Sequence, residues 1–384
     1  MASFFDNIEA RYAASCRLFA LSVDLTWQCN LKCFHCYLSR KSAIAQASRL
    51  DVDIALRLLE DAAELGAVSL LLSGGEPLFH PDIWKILSRA KSLNLFTSIF
   101  THAGLIDETC ARELRRLSIL DVGISLYSNS AMIHDSVTGV GGSFKKTMRG
   151  IRALLSEGIH VTIKTPVLAG YNDKTLETFM EWVEALGPRV RHSLSPDITP
   201  RDDGDWKTFR YKPDLTQSLR VLELLGRRDQ KVVQASRFDP ALREMRLDSF
   251  PCKAGISRLH VRADAVVTPC MELIHPLGDL HTDRLPSIWE RIKAPGGMAF
   301  MPRLGEIKGC ATCEHIDRCS PCVGLGLKQQ GEAADTPITS CYSTYARLLH
   351  EDPACLPPKP LQGDSVHPSS FVCGSSFCMR NCTD

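Results

Sequence analysis

The chain has 384 residues, 44% hydrophobic and 23% charged, with a formal net charge of +1. That length accommodates one large catalytic domain plus a smaller one, and the composition is that of an ordinary globular protein. No basic excess and no run of like charge points to nucleic acid, and the N-terminus lacks a secretory signal or a membrane span, so a cytoplasmic location is expected.

Residues 1–19 form an N-terminal segment before the first strand. From 20 to about 195, short apolar runs alternate with amphipathic stretches. The runs are LSVDLT (21–26), VSLLLS (68–73), LFTSIF (95–100), DVGISLY (121–127), VTIKTP (161–166) and RVRHSL (189–194). Helical spacing fits 52–65 before Gly66, 144–157 after a Ser143 N-cap and before Gly158, and 174–186 after Asn172 and Asp173. Strand–helix repetition argues for βαβ units and a parallel sheet, with the active site at the strands' C-terminal ends. Six units are too few for a closed eight-fold barrel, and the pattern alone leaves an open partial barrel and a doubly wound sheet as choices.

After about 235 the alternation fades and cysteine density rises. The sixteen cysteines are grouped: three at 29–36, seven at 252–341 and three at 373–382, with Cys16, Cys110 and Cys355 outside. In a reducing compartment such groups read as metal ligands. Residues 250–345 look like a small metal-organised domain. Residues 346–384, Pro-rich and then Ser-, Gly- and Cys-containing, read as a flexible extension. Cys373, Cys378 and Cys382 match no ligand motif. Incidental thiols, completion of an open metal site, and handling of a thiophilic or Cys-rich substrate stay open for them.

Cys29, Cys33 and Cys36 lie on one loop directly after the first strand. Three thiolates can hold three irons of a cubane and leave the fourth open, whereas structural zinc wants four protein ligands. This CxxxCxxC loop resembles the signature of the radical S-adenosylmethionine (SAM) superfamily. The resemblance implies a [4Fe–4S] cluster whose open iron binds S-adenosylmethionine and whose reduction gives a 5′-deoxyadenosyl radical. It implies a partial (β/α)6 TIM-type barrel over 20–235. His35 fills the family's aromatic slot beside the adenine. Gly74, Gly75, Glu76 and Pro77 after strand two resemble the GGEP motif, with Glu76 accepting from the methionine ammonium. Ser125 matches a ribose-contacting place, and Lys164 a position near the carboxylate. Where relatives have Thr-Asn-Gly, this chain has Thr101-His102-Ala103-Gly104. His102 is expected to point toward the site, in an inert or structural role rather than in substrate binding.

Behind such a barrel, the seven later cysteines resemble a SPASM domain with auxiliary [4Fe–4S] clusters. The resemblance assigns Cys252, Cys270 and Cys322 to a first auxiliary cluster, and Cys310, Cys313, Cys319 and Cys341 to a second. Ala265 stands where the family has Gly, and two residues rather than three separate Cys319 from Cys322. A shortened version with one auxiliary cluster is the alternative. HDSVTG (134–139), SFKKTMRGIRALLSEGI (143–159) and ITPRDDGD (198–205) resemble the peptide-maturase and haem-biosynthesis branches. The substrate is then a peptide or peptide-derived molecule, or alternatively a small metabolite such as a porphyrin. A low-potential donor, flavodoxin or ferredoxin, is implied. Peptide maturases commonly carry a leader-recognition domain before the barrel, and only about twenty residues precede the first strand here, so for a peptide substrate the resemblance implies a separate leader-recognition protein, or none. A zinc-organised, non-catalytic binding protein is the reading from another class.

Overall fold

The computed structural model describes residues 4–38, 48–228, 246–351 and 353–355. Cys373, Cys378 and Cys382 lie outside them. The residues divide into two compact units, the first within 1–165, 178–194 and 253–298, the second within 166–177, 195–252 and 299–384.

The first unit opens with α1 (Phe4–Ala14) and β1 (Ala20–Thr26), followed by α2 (Val52–Glu64), β2 (Ser69–Gly74), α3 (Ile83–Ser92) and β3 (Phe96–Thr101). Then come α4 (Glu108–Arg116), β4 (Asp121–Ser125), α5 (Ala131–Thr138), α6 (Ser143–Ser156), β5 (Val161–Pro166), α7 (Leu176–Glu184) and β6 (Val190–Ser195). The strands fall on the expected apolar runs. The sheet order is β6-β5-β4-β3-β2-β1, continued past β1 by β7 (Arg258–Val261), β8 (Val266–Thr268) and β9 (Gly278–Asp279). Strands β1 to β5 pair in parallel. From β1 to β6 every new strand adds on the same side, so those six strands have no topological switch point. This is the order of a partial barrel, not of a doubly wound sheet.

Alternation divides the sheet's two faces. Val23, Leu72, Ile99, Val122 and Val161 sit in register across five strands and are buried in one apolar cluster with the helices. The opposite face carries the polar residues Ser22, Asp24, Ser98, Ser125, Lys164 and His260, with Leu71 and Phe100 among them. Helix α2 forms where Asp51 accepts from Asp53 and Ile54 N–H at 2.9 and 3.3 Å, and it stops at Gly66, whose φ is +90°. The start of α6 differs from the expectation. Ser143 is its first helical residue rather than its N-cap. The capping acceptor comes from Asp135 on α5, which takes the N–H of Gly142 (2.6 Å) and Phe144 (2.7 Å) and the Ser143 hydroxyl (2.8 Å). A tertiary cap of this kind leaves no local signature.

Residues 253–298, expected in the cysteine-rich domain, supply β7–β9 and α9 (Leu285–Lys293) to the first unit. Its edge is tied by Asp61 on α2, which pairs with Arg284, and by Glu9 on α1, which pairs with Arg258 and Lys253. The second unit contains α8 (Leu215–Arg228), α10 (Val323–Gln330) and α11 (Ile338–Glu351). Helix α11 runs past 346, where the flexible extension was expected to begin, because Tyr342, Ala346 and Leu348 are buried. No helix among the described residues is long and apolar enough to cross a membrane.

Candidate active site and cysteine centres

Two strand exits build the site. The loop after β1 carries Cys29, Cys33 and Cys36, and the loop after β2 is bonded to its base. Gly75 N–H donates to Thr26 O at 2.7 Å and Glu76 N–H to Gln28 O at 2.8 Å. A Cβ on Gly75 would lie 2.5 Å from Gln28 O and 2.6 Å from Trp27 O. On Gly74, whose φ is +121°, it would lie 2.2 Å from Thr26 O. Both glycines are therefore required by backbone packing on the cysteine loop itself. Farther along, Lys32 N–H donates to Thr138 O at 2.7 Å, and Leu31 and Leu38 are buried.

The three thiols are part-exposed. Cys29 Sγ accepts from Leu31 N–H at 3.4 Å, and Cys33 Sγ is 3.8 Å from Tyr127 Oη. Burial, reinforced by the Cys33 and Cys36 thiols, raises the Tyr127 phenol well above its ordinary range. His35 packs edge-on against Tyr127 at 5.1 Å between centroids, and burial pushes its imidazole down to about 4. It is thus neutral at neutral pH, and among the described residues its Nε2 has no hydrogen-bond partner. Tyr127 leans in turn on His134 at 5.3 Å, so the HDSVTG segment forms the wall behind the cysteine loop.

Glu76 is 0% exposed. Its carboxylate accepts from Leu78 N–H (3.2 Å), the Thr101 hydroxyl (2.7 Å) and His102 N–H (3.0 Å). His102 does not point outward but folds back over its own turn. Its Nδ1 accepts from Gly104 N–H at 2.9 Å, which leaves the proton of a neutral ring on Nε2, 3.0 Å from Glu76 Oε2. Nδ1 thereby does what an Asn side-chain oxygen does in an Asx turn, while Nε2 lies close to the carboxylate without a hydrogen-bonding angle to it. Pro77 is buried and opens the short turn 77–79 that Glu76 caps.

Ser125 and Lys164 are register partners at the ends of β4 and β5. Lys164 Nζ sits 4.6 Å from the Phe100 ring centroid, and burial lowers its pKa. Gly123 makes room for this stack, since a Cβ there would meet Phe100 at 2.5 Å. Sequence reasoning missed a buried cluster on the same face. Ser22 Oγ is 2.9 Å from His260 Nδ1, His260 Nε2 is 3.7 Å from Asp24 Oδ2, and Trp27 Nε1 donates to Asp24 at 3.3 Å. Only the β1–β7 pairing brings His260 there, from 238 residues away.

In the second unit Cys310, Cys313, Cys319 and Cys341 are buried and line one small cavity with His315, Ile316 and Thr344. Burial, with the neighbouring thiols, pushes Cys310 up to about 12 and Cys341 higher still. Such thiols ionise only when a cation offsets the charge, and an all-sulfur, enclosed donor set suits an iron–sulfur cluster. Among the described residues no three His, Cys, Asp or Glu side chains converge at single-ion range. A cubane's corner ligands stand farther apart than the ligands of one ion. Of the other three cysteines, Cys252 and Cys322 belong to the second unit and Cys270 to the first. Cys270 Sγ accepts from Leu273 N–H at 3.2 Å, and Cys322 N–H donates to Ser340 Oγ at 3.0 Å. Ala265 has φ +66°, in the left-handed region that favours Gly.

Residues 24–183 match the family model described as the radical SAM superfamily. The chain is 24% identical to the AdoMet-dependent heme synthase of Methanosarcina barkeri over 87% of its length and 95% of that protein. It is also 24% identical to the mycofactocin maturase MftC of Mycobacterium ulcerans, over 85% of its length and 88% of that protein. The fold matches anSMEcpe with bound AdoMet and Cp18Cys peptide at a TM-score of 0.63, with 16% identity, over 87% of this chain and 97% of that one. Motif order, sheet order and these matches agree: residues 24–183 are a radical SAM domain, and the chain is an enzyme that uses S-adenosylmethionine and [4Fe–4S] chemistry, with a cysteine-rich region behind that domain.

Proposed function

We propose that the chain cleaves S-adenosylmethionine at a cluster held by Cys29, Cys33 and Cys36 and abstracts hydrogen from a peptide or peptide-derived substrate. One observation carries the assignment: the three-thiol loop is hydrogen-bonded through its base to Gly75 and Glu76, which fixes a buried carboxylate beside it. When bound, the cluster supplies the electron that splits the sulfonium and releases a hydrogen-abstracting nucleoside radical. Glu76 holds the methionine ammonium, Lys164 and Ser125 the carboxylate and ribose, and neutral His35 packs the adenine side. Tyr127 and His134 seal that wall from water.

The polar residues of that sheet face favour the peptide. Ser22, Asp24, Ser98, Ser125 and Lys164 offer hydrogen bonds and both signs of charge, which suit amide groups, whereas a porphyrin plane calls for broad apolar contact. The maturase relative and the peptide-bound anSMEcpe support the same choice. The heme synthase match, which spans 95% of that protein, favours the second reading, a porphyrin-like metabolite. Cys310, Cys313, Cys319 and Cys341 hold one auxiliary cluster, and Cys252, Cys270 and Cys322 contribute to another. A flavodoxin or ferredoxin delivers the electron in the cytoplasm.

Anaerobic reconstitution tests the proposal. About twelve irons per chain are expected with three cubanes filled, and 5′-deoxyadenosine forms on reduction with S-adenosylmethionine. Replacing Cys29, Cys33 and Cys36 by Ala abolishes the nucleoside and removes about four irons, leaving the auxiliary iron. Zinc in place of iron, with no nucleoside product, sinks the enzyme mechanism in favour of a zinc-organised binding protein.

A further inference from the structure

The geometry points to Thr344 and Arg347 as residues that set the reduction potential of the cluster at Cys310, Cys313, Cys319 and Cys341, through one corner of it, Cys319. This rests on the assignment of those four thiols to an auxiliary cluster.

Thr344 is 1% exposed on α11, and its Oγ1 lies 3.2 Å from Cys319 Sγ. A hydroxyl has one hydrogen to give, and Arg347 decides where it goes. Arg347 Nη2 donates to Thr344 Oγ1 at 3.2 Å. A guanidinium only donates, so it occupies a lone pair of the hydroxyl and leaves the hydroxyl hydrogen for the sulfur. The result is a relay from a cation through a neutral hydroxyl to one ligand.

A second arginine reinforces the same corner. Arg246 Nη2 donates to the Cys319 carbonyl at 2.9 Å, and its Nη1 bonds to Asp317 O. Burial raises the Cys319 thiol, while the Thr344 hydrogen bond and the charges of Arg347 and Arg246 oppose that rise. At Cys310 and Cys341 burial, with the neighbouring thiols, raises the thiol.

The four corners of the site are therefore electrostatically unequal. Reduction of a cluster adds negative charge that spreads onto its sulfurs. A hydrogen-bond donor and two cations at Cys319 favour that added charge, and so raise the potential.

The test is an EPR-monitored redox titration of the full chain, reconstituted anaerobically, on a background with Cys29, Cys33, Cys36, Cys252 and Cys270 replaced by Ala to remove the signals of the other two clusters. Thr344→Val keeps the side chain's shape and deletes the donor. Its auxiliary midpoint should move to more negative potential with iron content unchanged, and Thr344→Ser should restore it. Arg347→Gln should shift the midpoint in the same direction, which keeps the inference testable if the valine variant folds poorly. A midpoint that stays put, or moves positive, in a fully loaded Thr344→Val protein overturns the proposal. Cys341→Ala separates this from failure of the ligand assignment: unchanged iron in that variant removes the cluster from the quartet altogether.

Discussion

Glu76 and His102 show how one residue identity changes the chemistry of a site. The carboxylate is fully buried and held by Leu78, Thr101 and His102, with the His102 imidazole against Oε2. The two ring nitrogens do separate work, and two substitutions can separate them. His102→Asn keeps an acceptor for Gly104 N–H but is too short to reach Glu76. His102→Gln keeps a donor at the distance of Nε2 and loses the turn. We expect S-adenosylmethionine affinity to fall roughly tenfold in the Asn variant, with thermal stability close to wild type. The Gln variant should show the reverse. Isothermal titration on reconstituted protein, beside melting curves, decides between them; equal affinity in all three proteins would leave His102 with the turn alone. The letters Gly74 to Pro77 were legible as a motif. That both glycines are demanded by Thr26, Trp27 and Gln28 carbonyls was not, because those atoms come from another strand exit.

At the scale of elements, left-handed residues and tertiary caps carry information that periodicity does not. Ala103 and Ala265 have φ of +57° and +66°, each costing about 1 kcal/mol relative to Gly. Thr147 on α6 donates to His102 O at 2.8 Å, and Gly150 packs so closely that a Cβ would sit 2.2 Å from Ala103 O. The helix thus clamps the turn and offsets its strain. Asp135 is the second case. Its pKa lies below the ordinary 3.8: burial pushes it up, but the Phe144, Ser143 and Gly142 hydrogen bonds outweigh that. A depressed carboxylate contributes stability that is present above its unfolded pKa and lost as pH falls through the folded one. Asp135→Asn should cost about 1–2 kcal/mol at neutral pH, and its deficit against wild type should shrink at acid pH. Denaturant melts at the two pH values measure both. Helix starts at Val52 and ends at Gly66 and Gly158 were readable locally, while the α6 start was not, since its cap comes from the preceding helix.

At the scale of the molecule, the sheet does more than the strand count suggests. Residues around 260 return to β1 and extend the barrel sheet on the side opposite β2. Glu9, 2% exposed on α1, fastens this extension through Arg258 and Lys253. Glu9→Ala removes the buried acceptor shared by those cations and should lower stability by about 1–2 kcal/mol. Thermal melts of the reconstituted chain check it, and an unchanged midpoint would mean that apolar packing alone seats α1.

The sequence by itself determined the chemistry: three thiols on the first strand's exit loop, Gly74 to Pro77 one unit later, and a second thiol group far behind. Such motifs are read along the chain because their ligands are neighbours in it. It also placed the strands, whose faces alternate with a period of two. Only the tertiary structure decided that the strands form a one-directional partial barrel, since apolar runs carry no record of their neighbours. It alone brought His260 beside Ser22 and Asp24, turned His102 onto Glu76, and set Arg347 and Thr344 behind Cys319. Each of those contacts depends on where a side chain is aimed once its element has docked, and no local spacing encodes that direction.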